Sequence, residues 1–364
     1  MRVAAAVMSL LVRPSASCTT VVVNATKEDA VAIGRTMELG IPLSIKETNT
    51  LWALVTTPRG ATLGKGISLP YGFVSISGAV DNVTSLETVV EGMNEKGLTV
   101  SVQTLRRAGY EEAAGDRPAL TFTSVAAYLL GACASTSDVA GALAKVRVVD
   151  GALVAALMGR AHWAVSDARG SSVVVEYVAG ALDIHENSRV GVLTNDPAYD
   201  WHLDNLDQYA GYATDARQAP WGLEAIPVGA GREVPAVSSH GVNTRALPAS
   251  YTPPDRFVKM FLLRETAVAH DPPETADDAL TLVAGLLNTV HIVRGAVPKL
   301  SHAEGFEFTN WAVVKLPKQR TFLLRTYSDM QWRRVDLAGL DFARASYPEI
   351  PLYDGLGVRD ITWQ

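Results

Sequence analysis

Apolar and polar positions alternate in short β-branched runs through the first third of the chain, at Thr19–Asn24, Ala30–Arg35, Leu51–Thr56, Phe73–Ser77 and Leu98–Gln103. Turn-forming residues bound each run, and period-two patterning of this length predicts antiparallel strands. The spacing then becomes helical over Leu120–Ala134 and over Asp138–Val146, with Ser137 placed to cap the second. Strand patterning returns at Trp163–Ser166, Val173–Val178, Leu182–Glu186 and Gly191–Thr194, where Arg169-Gly170 and Ala179-Gly180 supply hairpin turns. Two more helices are expected over Asp255–Val268 and Thr275–Val290, the second opened by Thr275 three residues ahead of Asp278 as in a capping box. The chain closes on strands at Trp311–Leu316, Thr321–Thr326 and Trp332–Val335. Strands and helices in blocks predict an α+β protein of antiparallel sheets covered by helices, not a βαβ succession. The loose stretch Gly222–Tyr251, rich in Gly, Pro and Ser, reads as a functional loop.

The pattern breaks at the N-terminus. Residues 1–17 consist of Arg2, ten mostly apolar residues, and then Arg13-Pro14-Ser15-Ala16-Ser17. They have the form of a short leader, with small residues three and one before Cys18. Ten apolar residues are too few to span a bilayer, which takes about 20 in a helix. The expectation is that residues 1–17 are removed and that residues 18–364 form one domain. The protein is exported, periplasmic or secreted, if the leader is a signal peptide, and otherwise cytoplasmic. A lipid-modified Cys18 is disfavoured because Ser15 stands where a large apolar residue is expected.

With 364 residues, 48% of them hydrophobic, the chain can bury a large core. A net charge of −6 and no basic run longer than a pair give no footprint for nucleic acid. Two cysteines, Cys18 and Cys133, are too few for a disulfide framework and lack zinc spacing. Cys133 lies in the apolar run Ala126–Ala134 and reads as an inert core thiol.

Removal of residues 1–17 would give Cys18 both a thiol and a free α-amine able to serve as its base. An α-amine titrates near ~8 and a thiol near ~8.5, so modest positive charge nearby yields thiolate and neutral amine together. Seventeen residues on, Gly34-Arg35-Thr36-Met37-Glu38 offers a cation for the sulfur and a carboxylate for the amine.

These residues and five further motifs resemble the choloylglycine hydrolase family of bile salt hydrolases and penicillin V acylases. The motifs are Gly92-Met93-Asn94-Glu95-Lys96-Gly97-Leu98, His162-Trp163-Ala164-Val165-Ser166-Asp167, Gly191-Val192-Leu193-Thr194-Asn195-Asp196-Pro197, Thr252-Pro253-Pro254-Asp255-Arg256-Phe257, and Thr309-Asn310-Trp311 ahead of Arg325-Thr326-Tyr327. The resemblance implies an αββα sandwich that hydrolyses the amide of an N-acyl compound through a thioester on Cys18, with no metal or cofactor. It assigns Asn195 as an oxyanion donor and places Arg35 and Arg256 near the nucleophile. It further implies a homo-oligomer, a tetramer, with a small molecule as substrate. Two positions depart from the family pattern: Glu38 stands where Asp is usual, and Thr104 stands where bile salt hydrolases carry Asn and penicillin V acylases often carry Tyr. The apolar surroundings of Met37, Leu39 and Leu43, and the stretch Gly151-Ala152-Leu153-Val154 that matches an acyl-pocket segment, imply a bulky apolar acyl group. Conjugated bile salts rank first as substrates, ahead of penicillin V and long-chain N-acyl homoserine lactones. An inactive homologue acting as a binding protein is the non-enzymatic alternative.

Overall fold

A computed structural model describes residues 16–24, 31–40, 43–49, 51–64, 66–80, 83–151, 159–209, 226–227, 233–234, 247–298, 305–344 and 347–352. The first sheet is built from β1 (Ala16–Val23), β2 (Ala32–Leu39), β10 (Val192–Leu193), β11 (Thr309–Leu316), β12 (Thr321–Thr326) and β13 (Arg333–Asp336), in the order β10-β1-β2-β11-β12-β13. The second contains β3 (Trp52–Thr57), β4 (Phe73–Val80), β5 (Val83–Asn94), β6 (Thr99–Thr104), β7 (Ala161–Ser166), β8 (Ser172–Val178), β9 (Ala181–Glu186) and β14 (Ile350–Pro351), in the order β9-β8-β7-β6-β5-β4-β3-β14. Every pairing within these two sheets is antiparallel.

Four layers follow from how the strands divide their side chains. Val21 and Val23 of β1 and Ala32 of β2 face the helices α4 (Pro253–His270) and α5 (Ala276–Asn288), packing with Phe257, Val283 and Leu287. The alternate positions, among them Cys18 and Met37, face the second sheet and pack with Val74, Val90 and Trp311. The far side of the second sheet is covered by α1 (Val125–Ala132) and α2 (Val139–Leu143). This is the αββα sandwich expected of the chain. Gly34 is required where β2 meets α5, because a Cβ there would lie 2.4 Å from Val283. Among the described residues no helix is long and apolar enough to cross a membrane.

Several elements differ from the sequence expectation. Leu120–Ala134 is not one helix: Ala119–Thr121 pairs in parallel with Arg147–Val149, and α1 begins at Val125. The second helix is shorter than expected, and its preceding turn opens at Ser135, whose N–H donates to Asp138 Oδ2 at 2.9 Å, instead of at Ser137. Strand β2 runs four residues beyond Arg35, so Glu38 sits within it. Strand β5 has no counterpart in the apolar pattern, since Thr84, Ser85, Glu87 and Glu91 interrupt it. The Gly92–Leu98 motif is structural: it holds the last three residues of this strand and the turn at Glu95–Gly97 that leads into β6. Asn94 Nδ2 donates to the carbonyls of Leu130 and Cys133 at the end of α1, while its Oδ1 accepts from the N–H groups of Lys96 and Leu98. Most of Gly222–Tyr251 lies outside the described residues.

Candidate active site

The site is assembled on β1, in register. Cys18 lies opposite Met37, and Ser17 opposite Glu38, so the strand runs through the Ser17–Cys18 bond without a break. Pairing to an inner strand buries Cys18 to 1% exposure and fixes its Sγ between the sheets. Arg35, two residues before Met37 on the same face of β2, donates from Nη2 to Cys18 Sγ at 3.2 Å. Its guanidinium is held by the carbonyls of Val90 and Val102, at 2.8 and 2.6 Å, and lies over the Trp311 ring. Met37 packs beneath the thiol, with Sδ 3.4 Å from Sγ.

The backbone around Cys18 is fixed by two side chains from distant parts of the chain. Its N–H donates to Asn195 Oδ1 at 2.7 Å. Arg256, at the start of α4, donates from Nη1 to the Cys18 carbonyl and to Thr19 Oγ1, both at 2.6 Å, and from Nη2 to Asn195 Oδ1 at 2.9 Å. Helix α4 starts here because Pro253 and Pro254 fill its first turn, where no N–H partner is needed. Asn195 Nδ2 points the other way, donating to Thr104 Oγ1 at 2.9 Å and to its carbonyl at 3.2 Å. The Asn195 segment is pinned in turn by two imidazoles: His162 Nε2 bonds the Thr194 carbonyl and His202 Nε2 the Asn195 carbonyl, each at 2.9 Å. His202, on helix α3 (Tyr199–Leu206), stacks on Phe257, and burial lowers its pKa to about 4, so it is neutral at pH 7. His162 also meets Glu176 at 2.6 Å.

Electrostatics at the sulfur are contested. Burial pushes the Cys18 thiol upward, Arg35 draws it down, Glu38 pushes it up and Arg256 opposes that. Glu38 lies on the other face of β2, fully buried, with Oε1 accepting from Thr309 Oγ1 at 2.9 Å and Oε2 without a hydrogen bond among the described residues. Burial raises its carboxyl to about 7, against the pull of Arg256.

A cavity of about 480 Å³ opens above these groups, lined by Ser17, Thr104, Asn195, Ser250, Tyr251 and Pro253 among others. Ser17, and not Cys18, is among the residues that line it. Thus Cys18, Arg35, Asn195 and Arg256 come together as expected, and Thr104 lines the cavity. Met37 lies under the sulfur instead of in the cavity wall, Glu38 faces the helix side, and Leu153 falls outside the described residues. The sequence reading gave no role to Trp311, whose ring lies under the Arg35 guanidinium, or to His202, which bonds the Asn195 carbonyl. Among the described residues, the group with metal-type donors within 4.8 Å of one another is Asp183, His185 and Asp200, none of which belongs to the Cys18 cluster.

An antiparallel αββα sandwich with a thiol on its first inner strand, ringed by two arginines and an asparagine, defines a cysteine N-terminal-nucleophile amidohydrolase. A family model described as linear amide C–N hydrolases, choloylglycine hydrolase family, matches residues 18–348, and the chain belongs to that family. It is 27% identical over 256 residues to a bile salt hydrolase/transferase from Clostridium perfringens, covering 69% of this chain and 73% of that one. It is 29% identical over 141 residues to a penicillin V acylase from Pectobacterium atrosepticum, covering 36% of each. The crystal structure of a conjugated bile acid hydrolase from Clostridium perfringens superposes with a TM-score of 0.78 at 22% identity, over 95% of this chain and all of that one.

Proposed function

We propose that the protein is a conjugated bile salt hydrolase whose nucleophile is Cys18, freed at its amine by loss of residues 1–17. The observation that carries this reading is the convergence of Arg35, Asn195 and Arg256 on the sulfur, N–H and carbonyl of Cys18, next to Ser17, which lines the cavity. Loss of Ser17 takes one lining residue from the cavity and leaves the Cys18 amine beside Asn195, with Glu38 on the paired strand β2. The amine takes the thiol proton, and the sulfur attacks the substrate carbonyl, forming a C–S bond. Asn195 Nδ2 exchanges its bond to Thr104 for one to the oxyanion, with the Thr104 backbone N–H as a second donor. Collapse breaks the C–N bond, the amine proton passes to the leaving nitrogen, and water releases the acid from the thioester by the same path in reverse. An apolar acyl group gains about 25 cal/mol per Å² buried and is discriminated only modestly by shape.

The likeness to the bile salt hydrolase over two thirds of the chain supports steroid conjugates, while the shorter likeness to a penicillin V acylase supports that penicillin as the second substrate. The test incubates protein beginning at Cys18 with glycocholate, taurocholate, penicillin V and a long-chain acyl homoserine lactone, and measures released amine. Release of glycine or taurine with no release in Cys18→Ala is expected. Turnover of penicillin V alone would replace the substrate assignment, and full activity in Cys18→Ala would replace the nucleophile.

A further inference from the structure

Between the two sheets runs a line of charge that the scheme above leaves unused. Lys315 on β11 is fully buried, with Val314 and Leu316 beside it in the strand. Its ammonium crosses to the second sheet, where it donates to Glu91 Oε1 on β5 and to Ser101 Oγ on β6, the latter at 3.1 Å. Glu91 is equally buried. Its Oε1 also accepts from the Gly92 N–H, while its Oε2 faces Arg35 Nη1 at 3.5 Å without a hydrogen bond. Arg35 commits its own terminal donors elsewhere, Nη1 to the Val90 carbonyl and Nη2 to the Val102 carbonyl and Cys18 Sγ.

Stability does not explain this arrangement. Three ionised groups between two apolar sheets are expensive to desolvate, and apolar replacements of such sets are often neutral or stabilising. The competition for Glu91 does explain it. A buried carboxylate paired with Arg35 alone would cancel most of the guanidinium's field at the sulfur, whereas a second cation on that carboxylate leaves the trio with one net positive charge.

We propose that Lys315 is a positioning residue that engages Glu91 and so leaves the Arg35 guanidinium to act as an unopposed cation on the Cys18 sulfur. The proposal rests on Cys18 as the nucleophile. The charged groups around that sulfur are Arg35 and Glu38 from β2, Arg256 from α4, Glu91 from β5 and the Cys18 amine once free, with Glu307 beyond Glu38. Of these, Lys315 contacts Glu91 alone. Burial lowers the Lys315 ammonium, and Glu91 holds it up, so loss of either partner leaves the other as an isolated buried charge.

The test measures alkylation of Cys18 by iodoacetamide against pH on protein beginning at Cys18, with the labelled site located by mass mapping. The pH profile of kcat/KM is recorded alongside. Cys133 stays silent because burial pushes its thiol to about 12. Lys315→Met is expected to move the rise of both profiles about one pH unit alkaline, so that alkylation below the thiol's pKa slows about tenfold. The double variant Glu91→Gln with Lys315→Met removes both charges and is expected to return to within about threefold of the parent rate, and Glu91→Gln alone to be at least as fast as the parent. A parent-like profile in Lys315→Met overturns the proposal, and so does a double variant as slow as the single one. If Lys315→Met does not fold, the double variant decides alone: parent-like alkylation supports the proposal and tenfold slowing refutes it. Iodoacetamide reports the sulfur whatever the substrate, so these results stay separate from hydrolysis retained in Cys18→Ala, which would remove the nucleophile assignment itself.

Discussion

Asn195→Asp separates the two jobs this side chain is given. An aspartate at 195 keeps an oxygen where Oδ1 now accepts from the Cys18 N–H at 2.7 Å and from Arg256 Nη2 at 2.9 Å. It replaces the Nδ2 donor, now 2.9 Å from Thr104 Oγ1, by an acceptor. Loss of one oxyanion donor costs about 3–4 kcal/mol in the transition state, or ~10²–10³ in kcat, and a carboxylate facing the oxyanion drives the loss to the upper end. The ground-state carbonyl gains little from the same donor, so KM should stay near the parent value. The fold should hold, because the Arg256 contact becomes an ion pair. Asn195→Ala should show the same fall in kcat but also lose thermal stability. It strands the Cys18 N–H and one Arg256 donor in a buried site, at about 1–3 kcal/mol each. Both variants are prepared with Cys18 first by cutting a fused leader with a site-specific protease, and saturating rates of amine release are compared with melting temperatures. An Asn195→Asp enzyme within about threefold of the parent kcat would refute the oxyanion role, since no donor remains at that position.

Intact-mass analysis of active protein should give a chain beginning at Cys18, and activity in a chain that keeps Ser17 would refute the requirement for a free amine. For Glu38, Asp should preserve hydrolysis and Gln should not, because a charged acceptor for the amine is about twice as strong as a neutral one; equal rates for Glu38→Gln and the parent across pH ~5–8 would remove it from the site. Stability against pH gives a second measure in chains that retain residues before Cys18. Glu38, raised to about 7, holds its proton in the folded state, so its contribution falls by about 3 kcal/mol as pH rises from ~4.3 to 7. His202, lowered to about 4, runs the other way, and its contribution rises by about 3 kcal/mol from pH 4 to ~6.5. The two slopes nearly cancel in the parent, so denaturant titrations should show Glu38→Gln gaining stability with pH and His202→Gln losing it; parallel curves for all three proteins would contradict both burial arguments.

The apolar pattern located most strands and both long helices because each has one face on a core and the other on a different environment. It failed at β5, where Glu91 interrupts the run for an electrostatic reason that spacing does not record, and at Ala119–Thr121, where tertiary pairing overrides a helical period. Cys18, Arg35 and Glu38 were legible because they are close in sequence. Asn195 and Arg256 stood out only through family resemblance, since their contacts to Cys18 span 177 and 238 residues. Lys315 did carry a local signal, a lone cation inside Trp311–Leu316, although a lysine in a strand ordinarily points to water.

The uninterrupted run of β1 through the Ser17–Cys18 bond means that the proposed maturation is separate from folding. Cys18 is paired to Met37, and Val21–Val23 are buried between layers, while residues 16–17 still precede the cysteine. Loss of residues 1–17 takes away two rungs, Ala16↔Leu39 and Ser17↔Glu38, and leaves six from Cys18 to Val23. On the proposed reading the sandwich is complete while its nucleophile is still an internal residue, as in a zymogen whose architecture is finished before it is armed. On that reading, cutting one bond adds a charge and a doorway and leaves the other six rungs of β1 paired.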